Sequence, residues 1–275
     1  LEFSLRKLVR LGPAAFLVAV IEVSLMLWLG FQVARLLGWS TAESVLAGGA
    51  VAISSTTIIA KVFADLKVDG GIKDLVFGVL VVEDLLSVLL LAVFPAVLSG
   101  GGASGGVLAV SALKLLAFLA AALAIGMLTV PRAMRSIVAL ERPETTLVSA
   151  IGLCFGFAVL VRAFGYSAAL GAFLAGSLVA ESGESRKVEP LVHPVRDVFA
   201  AMFFVSVGML IRPELVLEHG RSVAVFTLVV VLGKILGVGS AAFLAGKGMR
   251  TSLRAGMSLA QIGELSFVMV GLGST

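Results

Sequence analysis

Charged side chains are scarce in this sequence. Asp, Glu, Lys and Arg make up 14% of the 275 residues and apolar residues 59%, against about 25% and about 45–50% in a soluble domain. Water would not keep such a surface in solution, which excludes an ordinary soluble enzyme. Cysteine is almost missing. The one Cys, Cys154, lies inside an apolar run, so neither a disulfide framework nor a thiolate metal site is expected. Both histidines, His193 and His219, fall between apolar runs and read as surface residues. Walker, Rossmann, zinc and nucleophile-elbow patterns do not occur, so nucleotide hydrolysis and covalent catalysis have no residues to work with. The expectation is a protein that is not an enzyme and needs no cofactor. The net charge of +4 does not point to nucleic acid, because the basic residues sit between apolar runs and not on a patch with interleaved aromatics. Leu1 replaces an initiator Met, no signal-peptide pattern follows, and the last residues trail an apolar run; both ends are expected to be cut.

What the sequence has in quantity is long apolar runs. A bilayer-spanning helix needs about 20 mostly apolar residues. Candidates lie at 14–37, 43–64, 75–98, 107–130, 144–162, 168–180, 197–211, 222–245 and 252–271. The sixth and seventh are short. The glycine-rich stretch 99–106, Glu141-Arg142-Pro143 and the mixed-charge stretch 181–194 punctuate the series. The expected architecture is an all-α integral membrane protein, a single transmembrane domain over 1–275 with about nine helices.

Basic residues test this parsing, because cytoplasmic loops are enriched in Lys and Arg. If all nine segments cross, fifteen of the 21 Lys and Arg fall on one side. Only Arg35, Arg162, Arg212 and Arg221 fall on the other, with Lys114 and Lys234 inside segments. The crowded side holds the residue 1 end, which is therefore expected to be cytoplasmic.

An internal repeat gives the first hint of purpose. Residues 47–55, AGGAVAISS, resemble 255–263, AGMSLAQIG. The two copies sit in the second and ninth segments. That odd separation implies opposite orientation and hence inverted-topology repeats. Interrupted segments at matching places of inverted halves point to a transporter site, so two interrupted, crossing helices are expected here.

Six ionisable residues lie within apolar segments: Glu22, Glu83, Asp84, Lys114, Lys234 and Glu264. Each is costly in hydrocarbon and marks a pathway or a pair unless it can snorkel. Lys114, nearer a segment end, reads as a snorkelling residue. Glu83 and Asp84 are the strongest signal. As neighbours on a helix they project about 100° apart. A carboxylate held out of water binds a proton or a hard monovalent cation at the same oxygens, one replacing the other. Both are expected to bind the ion or proton. Lys234, between Gly233 and Gly237, needs a carboxylate or helix-end carbonyls, and Glu83 or Asp84 is its expected charge partner. Glu22 is either a proton-path residue or a tie to Lys234. Ser54, Ser55, Thr56 and Thr57 offer hydroxyls and freed carbonyls beside a broken helix. Gln261 and Glu264 are their counterparts, with Glu264 either lining an ion path or tying two half-helices together. Gly152, Gly156, Gly171 and Gly176 read as close-packing positions between helices.

At this point the chain resembles the membrane domain of Kef/Nap-type monovalent cation:proton antiporters, the sodium/hydrogen exchanger family. The residues that carry the resemblance are 52–57 (AISSTT), 77–84 (FGVLVVED), 171–176 (GAFLAG), 203–209 (FFVSVGM), Gly233-Lys234 and Gly263-Glu264-Leu265. In order and spacing they cover essentially the whole chain. The resemblance implies a twelve- or thirteen-helix fold, with about two helices before Leu1 and at least one after Thr275. It implies a mobile core from 14–98 and 222–275 and a dimerisation part from 107–212. It implies that Asp84 is the ion-and-proton carboxylate, with no metal bound other than the monovalent cation. A homodimer in the bacterial inner membrane and elevator-like alternating access also follow from it, and Kef-type relatives carry a cytoplasmic regulatory domain, which the resemblance leaves open for the full-length chain. The residue before the essential Asp is usually Asn, Asp or Gln in this family; here it is Glu83. The implied activity is exchange of protons for Na⁺ or K⁺. Rival readings are a sodium-coupled symporter of small organic anions, which would need a roomier polar cavity than Lys234 alone suggests, and a membrane sensor or channel-like subunit that moves no protons against a cation gradient.

Overall fold

The computed structural model describes residues 13–68, 70–98, 105–166, 168–209 and 212–271. Every regular element among them is a helix. In chain order these are α1 (Pro13–Leu36), α2 (Thr41–Val51), α3 (Thr56–Asp65), α4 (Gly71–Leu98), α5 (Gly105–Val138) and α6 (Pro143–Ala163). They continue with α7 (Ala168–Glu181), α8 (Ser185–Met209), α9 (Pro213–Glu218), α10 (Gly220–Leu244), α11 (Met249–Leu259) and α12 (Leu265–Gly271). By length and composition, Pro13–Leu36, Thr41–Phe63, Leu113–Val138, Pro143–Ala163 and Gly220–Leu244 are able to cross a membrane. This is a helical multi-pass membrane protein.

Two expected spans are each broken in the middle. The segment 43–64 is α2, a non-helical stretch at 52–55 and α3; the segment 252–271 is α11, a stretch at 260–264 and α12. The repeat alignment sets Ala52 against Ala260, and α2 and α11 end one residue before those positions. The start of α2 is set locally by a capping box. Glu43 N donates to Ser40 Oγ at 3.3 Å, and Ser40 N donates to Glu43 Oε2 at 2.8 Å.

The chain divides into two compact units. One contains α1–α3, α4 as far as Leu90, and α9–α12. Val23, Met26, Val51, Ala52 and Val230 are buried together there, bringing α1, the end of α2 and α10 into one core. Gly48 lets α2 lie against α1, for a Cβ at that position would sit 2.5 Å from the Leu27 carbonyl oxygen.

The other unit holds α5–α8 with the last turns of α4. Val130, Met134, Val138, Ala150, Leu178, Val179 and Val188 form its core. Gly171 sits against the α6 backbone at Phe157 and Ala158, with no room for a Cβ. Gly152 and Gly156 differ from the expectation: among the described residues nothing lies within 4 Å of a Cβ at either, so they do not hold a helix contact there.

Three further boundaries depart from the sequence reading. Helix α5 runs past 130 to Val138, so Arg132 and Arg135 ride on it, and Arg135 Nε donates to the Pro131 carbonyl at 3.1 Å. Helix α8 begins at Ser185 and absorbs most of the expected connection 181–194, including Pro190 and Pro194. Those prolines leave the carbonyls of Arg186 and Pro190 without helical donors, and both residues are exposed, so water can serve instead. Helix α9, six residues long, was not anticipated at all. At 14 residues, α7 is about 21 Å long, short of the roughly 30 Å hydrocarbon layer.

Candidate functional site

The two breaks meet. Gly263 N donates to the Ile53 carbonyl at 2.8 Å, and a Cβ on Gly263 would lie 2.6 Å from the Ser54 carbonyl oxygen. Only glycine allows that approach. Replacing Gly263 with Ala forces the crossing apart, and overpacking of this kind costs about 1–3 kcal/mol. A lowered melting temperature of the purified protein is the expected result.

A broken helix leaves backbone groups without partners, and in a membrane these must be satisfied internally. The side chains singled out in the sequence do this. Gln261 embraces Ser55: its Oε1 accepts from Ser55 N at 2.8 Å and its Nε2 donates to Ser55 O at 3.3 Å. Ser54 Oγ donates to the Leu259 carbonyl, at the end of α11, at 3.3 Å. Ser266 Oγ donates to the Ala50 carbonyl.

On one side of the crossing is a carboxylate and hydroxyl cluster. Ser55 Oγ donates to Glu264 Oε2 at 2.7 Å, and Thr57 Oγ1 to Glu264 Oε1 at 3.4 Å. Glu264 thus ties the α11–α12 break to the start of α3, where the helix dipole favours negative charge. Thr56 Oγ1 donates to Asp84 Oδ2 at 3.1 Å. Asp84 is partly accessible, whereas its neighbour Glu83 is 1% exposed. The helical turn between them sends the two carboxyls to different groups, for Glu83 Oε2 accepts from Ser54 N at 2.9 Å.

Lys234 on α10 is wholly buried, and here the sequence expectation is corrected. Its partner is Glu22 of α1, not Glu83 or Asp84. Lys234 Nζ lies 2.9 Å from Glu22 Oε1, both side chains being 0% exposed. The contact lies off hydrogen-bond geometry. Nζ also donates to Ser54 Oγ at 2.7 Å and to the Ala52 carbonyl at 3.3 Å. The ammonium has three donors, and α2 and α11 both end beside it. Their negative dipole ends, one through Ala52 O and the other through Ser54 and Leu259 O, stabilise the cation. Glu83 is held off Lys234 because Ser54 N has already claimed its Oε2. Glu22 Oε2 and Glu83 Oε1 are buried and accept no hydrogen bond from the protein.

Asp84, Glu83, Lys234, Glu22, Ser54–Thr57, Gln261 and Glu264 therefore lie around one crossing. Ala52 O and Leu259 O are the functional groups that sequence reasoning did not name. The freed carbonyl of Ala52 was implicit in the helix break, but nothing in the pattern gives its direction.

Two interrupted helices that cross beside a cluster of carboxylates define a multi-pass membrane protein with ionisable groups gathered at the crossing. The chain matches the model of the transmembrane sodium/hydrogen exchanger family over residues 1–275, and it belongs to that family. It is 33% identical to YbaL of Escherichia coli (strain K12), whose name gives cation/proton antiport, over 99% of this chain and 50% of YbaL. K(+) efflux antiporter 5 of Arabidopsis thaliana is 30% identical over 100% of this chain and 49% of its own. The high-affinity Na(+)/H(+) antiporter NhaS3 of Synechocystis is 27% identical over 100% and 61%. The chain spans about half the length of the first two relatives.

Proposed function

We propose that the full-length protein exchanges protons for a monovalent cation, Na⁺ or K⁺, across a bacterial inner membrane. The observation that carries the reading is the position of Asp84, partly accessible beside the helix crossing and within one hydrogen bond of Thr56. A carboxylate so placed takes a proton or a cation at the same oxygens, and the hydroxyls of Ser55, Thr56 and Thr57 supply further oxygen ligands. In the cycle Asp84 releases its proton to one side and binds the cation. The core, 14–98 with 222–275, then moves against 107–212, and a proton displaces the cation on the other side. The relatives' names, K⁺ for one and Na⁺ for another, support cation:proton exchange and leave both ions as substrates to test. The working unit is a homodimer. Proteoliposomes holding the full-length protein and a pH-sensitive dye give the test. Imposed Na⁺, K⁺ or Li⁺ gradients should each be screened for proton movement, and none with any cation would sink the reading.

The orientation has its own test. With nine crossings, the loops around Lys67 and Arg142 face the cytoplasm and His219 faces outward, because the basic residues crowd one side. In a Cys154→Ser background, Lys67→Cys should resist an impermeant thiol reagent in intact cells and His219→Cys should react. The opposite pattern would reverse the assignment.

A further inference from the structure

Glu264 gives each of its oxygens to a hydroxyl on a different side of Thr56. Oε2 accepts from Ser55 Oγ at 2.7 Å and Oε1 from Thr57 Oγ1 at 3.4 Å. The two hydroxyl oxygens are themselves 3.0 Å apart. Of the described residues no Lys or Arg pairs with Glu264, so these hydroxyls are what hold it. Ser55 is also the N-cap of α3, its Oγ accepting from Ile58 N at 3.3 Å. Thr56 and Thr57 are then the first two residues of that helix, and the three cannot turn independently. A carboxylate that holds Ser55 and Thr57 therefore fixes Thr56 between them. Thr56 is the residue whose Oγ1 donates to Asp84 Oδ2 at 3.1 Å. The restraint comes from the second interrupted helix, since Gly263 N holds the Ile53 carbonyl and Gln261 holds both backbone groups of Ser55. Asp84, on α4, meets this gripped segment through Thr56.

We propose that Glu264 is a positioning residue for Asp84: through Ser55 and Thr57 it sets Thr56 on the Asp84 carboxyl, and so shapes the cation's site without touching the ion. The consequence for transport rests on the antiport reading above, in which Asp84 is the cation's ligand. Positioning of this kind needs hydrogen-bonding groups and not a charge. An amide at 264 serves, because its oxygen accepts from Ser55 Oγ and its nitrogen donates to Thr57 Oγ1, a hydroxyl that accepts as readily as it donates. A carboxylate that met the ion itself would act through its charge, and the amide would fail.

The test uses the full-length protein in lipid, with two readouts. In proteoliposomes under K⁺ or Na⁺ gradients, Glu264→Ala should raise the cation concentration for half-maximal exchange roughly tenfold, the scale of one hydrogen bond to a charged group, and keep the maximal rate within about twofold. Glu264→Gln should stay within about threefold of wild type. Thr56→Val should raise the half-maximal concentration as Glu264→Ala does, and the double variant should be no worse than Thr56→Val alone. A Glu264→Gln variant as weak as Glu264→Ala, effects that multiply in the double variant, or a fall confined to the maximal rate overturns the proposal. The second readout needs no gradient. The carboxyl bands of Asp84, isolated in each background as the infrared difference against Asp84→Asn, should shift in Glu264→Ala as they do in Thr56→Val. Ser55→Ala, which cuts the shorter tie to Glu264, should shift them too. Unmoved Asp84 bands in Glu264→Ala, or in Ser55→Ala where Glu264→Ala does not fold, overturn the proposal. A wild-type protein that exchanges nothing under any gradient removes the antiport reading, and the infrared comparison still decides whether Glu264 positions Asp84.

Discussion

Asp84→Asn should abolish cation:proton exchange and leave the protein folded. The amide keeps the size of the side chain, and its oxygen still accepts the hydroxyl of Thr56, which now sits 3.1 Å from Asp84 Oδ2. What disappears is the titrating charge. Without it the residue neither carries a proton through the cycle nor offers an anionic ligand to a cation, and no other acid at the crossing is placed to replace it. Glu264 is engaged by Ser55 and Thr57, and Glu83 is turned toward Ser54. In proteoliposomes the dye signal should fall to that of empty vesicles under every cation gradient. The melting temperature should move by only a few degrees, since a neutral amide that keeps a hydrogen bond costs little in a polar cluster. Exchange at the wild-type rate in this variant would falsify the assignment of Asp84.

The second large effect is on stability. Glu22 and Lys234 are both fully buried with 2.9 Å between Oε1 and Nζ, and removing one member of such a pair is typically worth about 3–5 kcal/mol. Glu22→Gln strands an ammonium, and Lys234→Met strands a carboxylate. Either change alone should lower the denaturation midpoint substantially. Combined, Glu22→Gln with Lys234→Met should cost about 2 kcal/mol or more less than the sum of the two, because neither leaves an uncompensated charge for the other. The coupling should survive high salt, since water and mobile ions do not reach the pair. Additive single effects would mean that the contact carries no energy. The same cycle run on Glu83 and Lys234 should show the weaker coupling, reversing the order that sequence position suggests.

A good part of this arrangement was legible in the residues. Long apolar runs set α1, α4, α6 and α10 to within a few positions, because hydrocarbon thickness dictates length. The AGGAVAISS and AGMSLAQIG copies located both helix breaks, since small and hydroxyl residues are where a membrane helix can open and still satisfy its backbone. Glu22, Glu83, Asp84, Lys234, Gln261 and Glu264 stood out because a polar group at that depth is too costly to be incidental. Less was legible where helices end in polar sequence. Arg132 and Arg135 fell beyond the expected segment end at 130, and Pro190 and Pro194 read as punctuation, yet exposed backbone at such positions takes hydrogen bonds from water and the helix continues.

By itself, then, the sequence determined which helices carry charge, where two of them are interrupted, and that the acids at the interruption are too expensive to lack a purpose. Only the tertiary structure decided which charge meets which. Spacing along a chain gives the angle of a side chain about its own helix, not the identity of the helix that packs against it. Glu83 is an expected partner of Lys234 from sequence, yet Ser54 N, freed by the break after α2, donates to its Oε2. Glu22, with no acid or base near it in sequence, reaches Lys234 because α1 packs on α10 through Val23, Met26 and Val230. The packing of apolar neighbours, which is indifferent to charge, is what brought the ion pair together.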